Sequence, residues 1–192
     1  MATKILLDNG HGSDTPGKRS PDGTLHEWEF TRRLAARLAG RLNNAGISSK
    51  LIVPETADIP LGDRVRRVAA ESAAARCLLV SLHVNASGCG AWGNARGFSA
   101  WVAPKASAAA CSFAAAVAAE ARRCGLEGNR RPGPRGYYEG NFAILRRTPC
   151  PAVLTENMFM DNASDLAWLL GPEAVEVLAD VHFKAISAYV QG

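Results

Sequence analysis

Strand-like apolar runs give way to segments of helical period, in turn, from one end of the chain to the other. Residues 4–8 (KILLD) read as a short strand, followed by a Gly-, Pro- and Ser-rich loop to about residue 23. Over residues 27–44, Phe30, Leu34, Leu38 and Leu42 recur at i+4 and Gly46 supplies a stop, which predicts a helix. Residues 47–53 predict a second strand and residues 61–75 a second helix. Residues 77–85 (CLLVSLHVN) form a third strand, apolar enough to lie inside a sheet with both faces covered. Residues 97–103 predict a fourth strand, and the Ala-rich stretch 107–124 a helix that stops at Gly125. Residues 152–156 (AVLTE) are a late strand and 173–190 the closing helix.

Strands separated by helices favour parallel pairing, with helices over both faces of the sheet. The expected class is therefore α/β, as one domain over residues 1–192, since no repeat or linker breaks the pattern. Composition narrows the class without naming a chemistry. With 47% apolar and 21% charged residues the chain can bury a core, which excludes disorder. No window approaches the ~18–20 unbroken apolar residues of a membrane span. The 22 basic and 18 acidic residues leave a net +4, spread along the chain. That charge suits an anionic polymer but is no nucleic-acid signature. Cys77, Cys89, Cys111, Cys124 and Cys150 include no C-x-x-C pair and are odd in number, so buried free thiols are expected rather than a disulfide framework or zinc knot. The opening MATKILLDNG has no charged-then-apolar leader, so no signal peptide is expected in the chain. Residues 125–141, rich in Gly, Pro and Arg, read either as a loop beside a site or as a solvated crossover.

Chemistry gathers at the carboxyl ends of the predicted strands, where open α/β sheets bind ligands. His11 follows the first strand in Asp8-Asn9-Gly10-His11-Gly12; His83 lies near the end of the third; Glu156 ends the late strand. Glu27 joins them by a helical-wheel argument. Phe30, Leu34, Leu38 and Leu42 span an arc of ~120°, and Glu27 falls near its centre, with Glu29 ~160° and His26 ~100° away. A carboxylate on the buried face aims at the sheet rather than at water. Two His and one Glu make a three-residue zinc shell with an open fourth position. A further carboxylate, Glu156, can then carry protons, and those parts hydrolyse an amide or ester.

Plainer roles stay open for each residue. His83 can be a hydrogen-bonded strand histidine, and the two glutamates can serve helix ends. Gly10–Thr15 nearly matches the dinucleotide fingerprint, but Thr15 replaces the third Gly and Pro16-Gly17 prolongs a loop where a helix should open. No G-x-S-x-G elbow is present for a serine hydrolase.

Taken in order, Asp8-Asn9-Gly10-His11-Gly12, the helix Glu27, Ser81-Leu82-His83-Val84-Asn85-Ala86 and Pro151-Ala152-Val153-Leu154-Thr155-Glu156 carry a resemblance. The chain resembles the zinc-dependent N-acetylmuramoyl-L-alanine amidases from about residue 4 to 190, with Leu61-Gly62-Asp63-Arg64 similar to that family's L-x-x-R helix. The resemblance implies a three-layer αβα sandwich with a mostly parallel sheet, one Zn²⁺ on His11, Glu27 and His83, and Glu156 as catalytic carboxylate. It also implies cleavage between N-acetylmuramic acid and L-alanine in peptidoglycan, at the bacterial cell wall. A monomer is expected, and the modest charge gives no reason to expect a nucleic-acid partner. Three features depart from the family pattern: Ser13 after the GHG turn, the Gly17-Lys18-Arg19-Ser20-Pro21 approach, and Trp28 after Glu27. All lie at the rim and bear on substrate preference more than on metal. No amphipathic period marks residues 125–141 as an occluding helix. A zinc carboxypeptidase acting on stem peptides, a non-catalytic wall-binding domain on the same fold and a nucleotide-binding regulator remain as alternatives.

Overall fold

A computed structural model describes residues 2–88 and 90–192. Its strands are β1 (Lys4–Asn9), β2 (Ser49–Leu51), β3 (Cys77–Asn85), β4 (Ser99–Val102), β5 (Tyr138–Glu139) and β6 (Ala152–Phe159). Its helices are α1 (Glu27–Asn44), α2 (Leu61–Ala74), α3 (Ala108–Arg123), α4 (Ala143–Arg147), α5 (Ala163–Leu169) and α6 (Ala174–Gln191). The strands form one sheet in the order β2-β1-β3-β6-β4-β5. Side chains alternate across it. Ile5, Leu7, Leu78, Val80 and Val153 pack under α1, α3 and α6, whereas Leu6, Leu79 and Leu154 pack under α2 and α4. This is the expected αβα layering, with no helix among the described residues long and apolar enough to cross a membrane.

The apolar stripe of α1 is buried at Phe30, Leu34, Leu38 and Leu42, and Glu27 is buried with it. Helix α3 starts where Ser107 accepts a hydrogen bond from the Ala110 N–H at 3.3 Å, as an N-cap should. Parallel pairing holds for β1 with β2 and β3, for β3 with β6 and for β4 with β5. β4 is the exception within a mostly parallel sheet: it runs antiparallel to β6. The segment between β3 and β4 contains no crossover helix, so the chain enters β4 from the carboxyl end of the sheet and must run back.

Smaller differences have equally local causes. β2 is shorter than residues 47–53 because it is an edge strand whose ladder to β1 spans three pairs. β6 runs on past residue 156 to Phe159 through a bulge: His83 pairs with Glu156, then Asn85 with Phe159, and Met158 takes φ 71°. α4, α5 and β5 are too short to show a period and were not expected from the pattern. Among the described cysteines all four are free, but only Cys77 is buried and Cys124 is exposed, so the expectation of buried thiols holds for one of them; Cys89 lies outside the described residues.

A buried ion pair ties the loop after β1 to α2. Arg64, 5% exposed, donates to Asp8 Oδ1 at 2.9 Å, to Asp58 Oδ1 at 2.7 Å and to the carbonyls of Asn9 (2.8 Å) and Ile59 (2.8 Å). The Ser81 hydroxyl donates to the other Asp8 oxygen at 2.6 Å, so both carboxylate oxygens are satisfied. Removing one partner of such a pair leaves a buried charge unpaired, at a cost of about 3–5 kcal/mol. Arg64→Ala should therefore lose about that much unfolding free energy in urea titrations, a loss well beyond that of an exposed arginine.

Candidate active site at the carboxyl ends of the strands

His11, Glu27 and His83 converge although each comes from a different element. His11 sits just past β1 with φ 61°, a left-handed conformation that turns the chain sharply. Its flanking glycines are there for clearance. A Cβ on Gly10 would overlap the His83 ring, and one on Gly12 would overlap the backbone of Ala57 and Asp58. Glu27 enters from the first turn of α1, and His83 from β3.

Glu27 is 2% exposed and satisfied on both oxygens. Oε1 accepts from the Val84 N–H at 3.0 Å and lies 3.0 Å from His83 Nδ1; Oε2 lies 3.4 Å from His11 Nε2. The two imidazoles meet edge to face, 5.1 Å between ring centres. One ligand atom from each of the three residues lies within 4.8 Å of the others, which is a group that can hold a metal ion. His26 and Glu29, set aside by the helical wheel, are exposed.

Burial and charge set the protonation states. Burial holds His11 down to about 4, against the pull of Glu27, with His83 and Lys18 adding to the depression. His11 is thus a neutral imidazole near neutral pH, the form able to accept a metal ion. His83 also pays for burial, but the hydrogen bond and charge of Glu27 outweigh that and raise it. Burial pushes Glu27 up, yet His83, His11 and the Val84 N–H together bring it below its ordinary value.

Glu156 stands on β6 in register with His83 on one side and Ser99 on the other. Its Oε2 is buried without a hydrogen-bond partner. Desolvation raises this carboxyl to about 7, with Glu27 adding to the rise and His83, Lys18 and Arg130 opposing it. A half-protonated carboxyl at neutral pH is suited to passing protons in either direction.

A cleft of about 480 Å³ opens over these residues and is also lined by Lys18 and Arg19. A second lobe of about 280 Å³ continues past the His11 and His83 rings, lined by Ile59, Leu61, Phe142 and Ile144. No described cysteine lines either lobe. The near-match to a dinucleotide fingerprint is structural: Thr15 Oγ1 accepts from the Gly12 N–H at 2.9 Å, and no helix opens before Glu27. Residues 125–141 line neither lobe, although the charge of Arg130 reaches Glu156. They contain only the short β5, and they carry the Arg130 guanidinium over Tyr138 (4.9 Å) and Trp101 (5.3 Å).

Several contributing residues had no signal in the sequence. Asn157 donates to the His83 carbonyl at 2.9 Å, and the Thr155 hydroxyl meets His182 Nε2 at 3.0 Å while His182 Nδ1 faces the Leu178 carbonyl. These buried groups brace β3 against β6 behind the site. Lys18 and Arg19 were visible as an unusual approach to α1, though not as cleft residues.

Comparison with known proteins agrees with this geometry. The model of the N-acetylmuramoyl-L-alanine amidase family matches residues 5–188. The sporulation-specific N-acetylmuramoyl-L-alanine amidase of Bacillus subtilis (strain 168) is 30% identical over 185 residues, covering 95% of this chain and 66% of that protein. An N-acetylmuramoyl-L-alanine amidase of Bacillus licheniformis is 30% identical over 184 residues, covering 96% of this chain and 67% of its own length. The chain thus spans about two thirds of these relatives. The crystal structure of an N-acetylmuramoyl-L-alanine amidase from Clostridium difficile 630 superposes with a TM-score of 0.86 at 24% identity, covering 100% of this chain and 98% of that one. By the match over nearly its whole length, this chain belongs to the N-acetylmuramoyl-L-alanine amidase family.

Proposed function

We propose that this protein is a monomeric, zinc-dependent hydrolase, a single catalytic domain that cuts the amide bond between N-acetylmuramic acid and L-alanine in bacterial peptidoglycan, at the cell wall. One observation carries the reading: three ligand atoms of His11, Glu27 and His83 lie within 4.8 Å of one another, beside the buried and unpartnered Oε2 of Glu156. The donor set fits zinc. Two imidazoles and one carboxylate are ligands that Zn²⁺ accepts, with a fourth position left for water or substrate. When bound there, zinc supplies Lewis acidity, which polarises an amide carbonyl and makes water a better nucleophile.

The chain's own residues do the rest. The Val84 N–H and the buried flank of α1 hold Glu27 in one orientation, and Glu27 in turn fixes the His83 ring. Glu156 Oε2 takes a proton from the attacking water as its oxygen bonds to the lactyl carbonyl carbon. As the carbon–nitrogen bond breaks, the same oxygen returns that proton to the departing alanine nitrogen. The products are a lactyl carboxylic acid and a stem peptide with a free amine, which become carboxylate and ammonium by passing the acid's proton to the amine. A wall-binding domain has no use for a buried proton carrier, which favours the enzyme over the non-catalytic alternative.

Muropeptide digests tested by mass spectrometry should contain intact stem peptides released from glycan; loss of a terminal amino acid alone would instead mean a carboxypeptidase. Glu156→Gln should keep one zinc per chain while cleavage falls about 10²–10⁴-fold. His83→Ala should lose both zinc and activity, and a chelator should abolish cleavage in the parent protein until zinc is restored.

The strained carboxyl also affects stability without metal. The unfolded chain releases the Glu156 proton near its ordinary 4.5, whereas the folded protein keeps it to about 7. A raised carboxyl makes folding less favourable as pH climbs through that window. Glu156→Gln removes the penalty. In chelator, its melting temperature should exceed that of the parent above pH 7, with the gap closing below pH 4.5.

A further inference from the structure

Lys18 is a cation without a partner inside the cleft. It is half-buried and lines the same lobe as His11, Glu27, His83 and Glu156, yet its ammonium makes no hydrogen bond or ion pair among the described residues. Arg19 also lines this lobe without a side-chain partner among the described residues, but it is exposed to water, and the cations deeper in the site are occupied. Arg64 is committed to Asp8, Asp58 and backbone carbonyls, and Arg32 to the Glu55 carbonyl at 2.6 Å. An unpaired lysine in a partly desolvated pocket is a ready site for an anion.

The backbone beneath Lys18 is built rather than loose. Its carbonyl accepts from the Glu27 N–H at 3.0 Å, so Lys18 is anchored to the first residue of α1. The next residue, Arg19, pairs with His26 through its backbone in an isolated antiparallel β-bridge. Ser20, 1% exposed, closes the turn: its N–H donates to the Leu25 carbonyl at 2.9 Å and its hydroxyl to Asp22 at 2.6 Å. The segment is a fixed clip at the mouth of the cleft.

The two lobes differ in kind. The lobe holding Lys18 has two unpaired cations, the half-buried Lys18 and the exposed Arg19, while the lobe beyond His83 is walled by Ile59, Leu61, Phe142 and Ile144, with its one arginine, Arg64, consumed. The two arms of the proposed substrate differ in the same way. The glycan, with its lactyl group tied up as an amide, is neutral, whereas the stem peptide carries free carboxylates. We propose that Lys18 is a specificity-determining residue that binds a carboxylate near the start of the stem peptide and so seats the peptide arm in its own lobe. This rests on the amidase reading above and adds which arm lies where.

A matched pair of disaccharide muramoyl peptides tests it, the two differing only by a carboxylate or a carboxamide on the residue after L-alanine. The zinc-loaded protein should prefer the carboxylate about tenfold in kcat/KM, with the difference in KM. Lys18→Gln should bring that ratio to within about twofold of one, and Lys18→Arg should restore much of it. Lys18 also acts on Glu156 through its charge, but any such effect is common to both substrates and cancels in the ratio. Binding of the same pair to the Glu156→Gln protein should show the same tenfold gap in Kd, lost when Lys18→Gln is added. Equal cleavage of both by the parent protein, or a preference that survives Lys18→Gln, overturns the role of Lys18 and leaves the amidase reading intact. If neither is cleaved, the amidase reading falls and this inference with it.

Discussion

The carboxylate of Glu27 is 2% exposed, and the architecture around it answers the problem of an anion removed from water. Burying a charge is costly unless it is paired and hydrogen-bonded. Here one oxygen meets the Val84 N–H and His83, and the other meets His11. That solution needs β3 beside β1, α1 laid across both and the glycine turn after β1. The clearance at Gly10 and the left-handed φ of His11 are parts of the same arrangement.

A second constraint is the pairing of β3 with β6. It puts His83 and Glu156 in register, and the bulge that follows shifts the ladder so that Asn85 next pairs with Phe159. Behind it, Asn157 holds the His83 carbonyl, and His182 holds Thr155 from the α6 side. Arg64 does the corresponding work for β1, gripping Asp8 and the Asn9 carbonyl. The segments bearing His11, His83 and Glu156 are thus braced from both faces of the sheet, which is what a site needing sub-ångström placement requires. Against this rigid background, Glu156 is left with a buried oxygen and no partner, and the consequence is a carboxyl held half-protonated near neutral pH.

The comparisons place the chain within an amidase family, but the residues at the rim are where members of a family part ways. Lys18 and Arg19 occupy that rim, and the clip that carries Lys18 is fastened to the Glu27 backbone. Glu27 at the floor of the cleft and Lys18 at its mouth are therefore mechanically joined at the first turn of α1.

How much of this was legible in the chain depended on the range of the forces involved. The helices α1 and α3 and the strand β3 were readable because period and stop signals are local, and Glu27 was separable from Glu29 because a helical wheel is a local geometry. His11, Glu27, His83 and Glu156 could be gathered as a set from strand ends and motif resemblance. Other features had no local signature. The reversed direction of β4 follows from where the chain re-enters the sheet, the bulge at Met158 from strain across two strands, and the support of Asn157 and His182 from packing. By itself, the sequence determined which residues are candidates for the chemistry and that Glu27 lies on the buried face of α1, since residue type and period are written along one dimension. Only the tertiary structure decided that three ligand atoms meet within 4.8 Å, that Glu156 Oε2 is left unpartnered and that Lys18 faces them, because distance and desolvation exist only once the chain has folded.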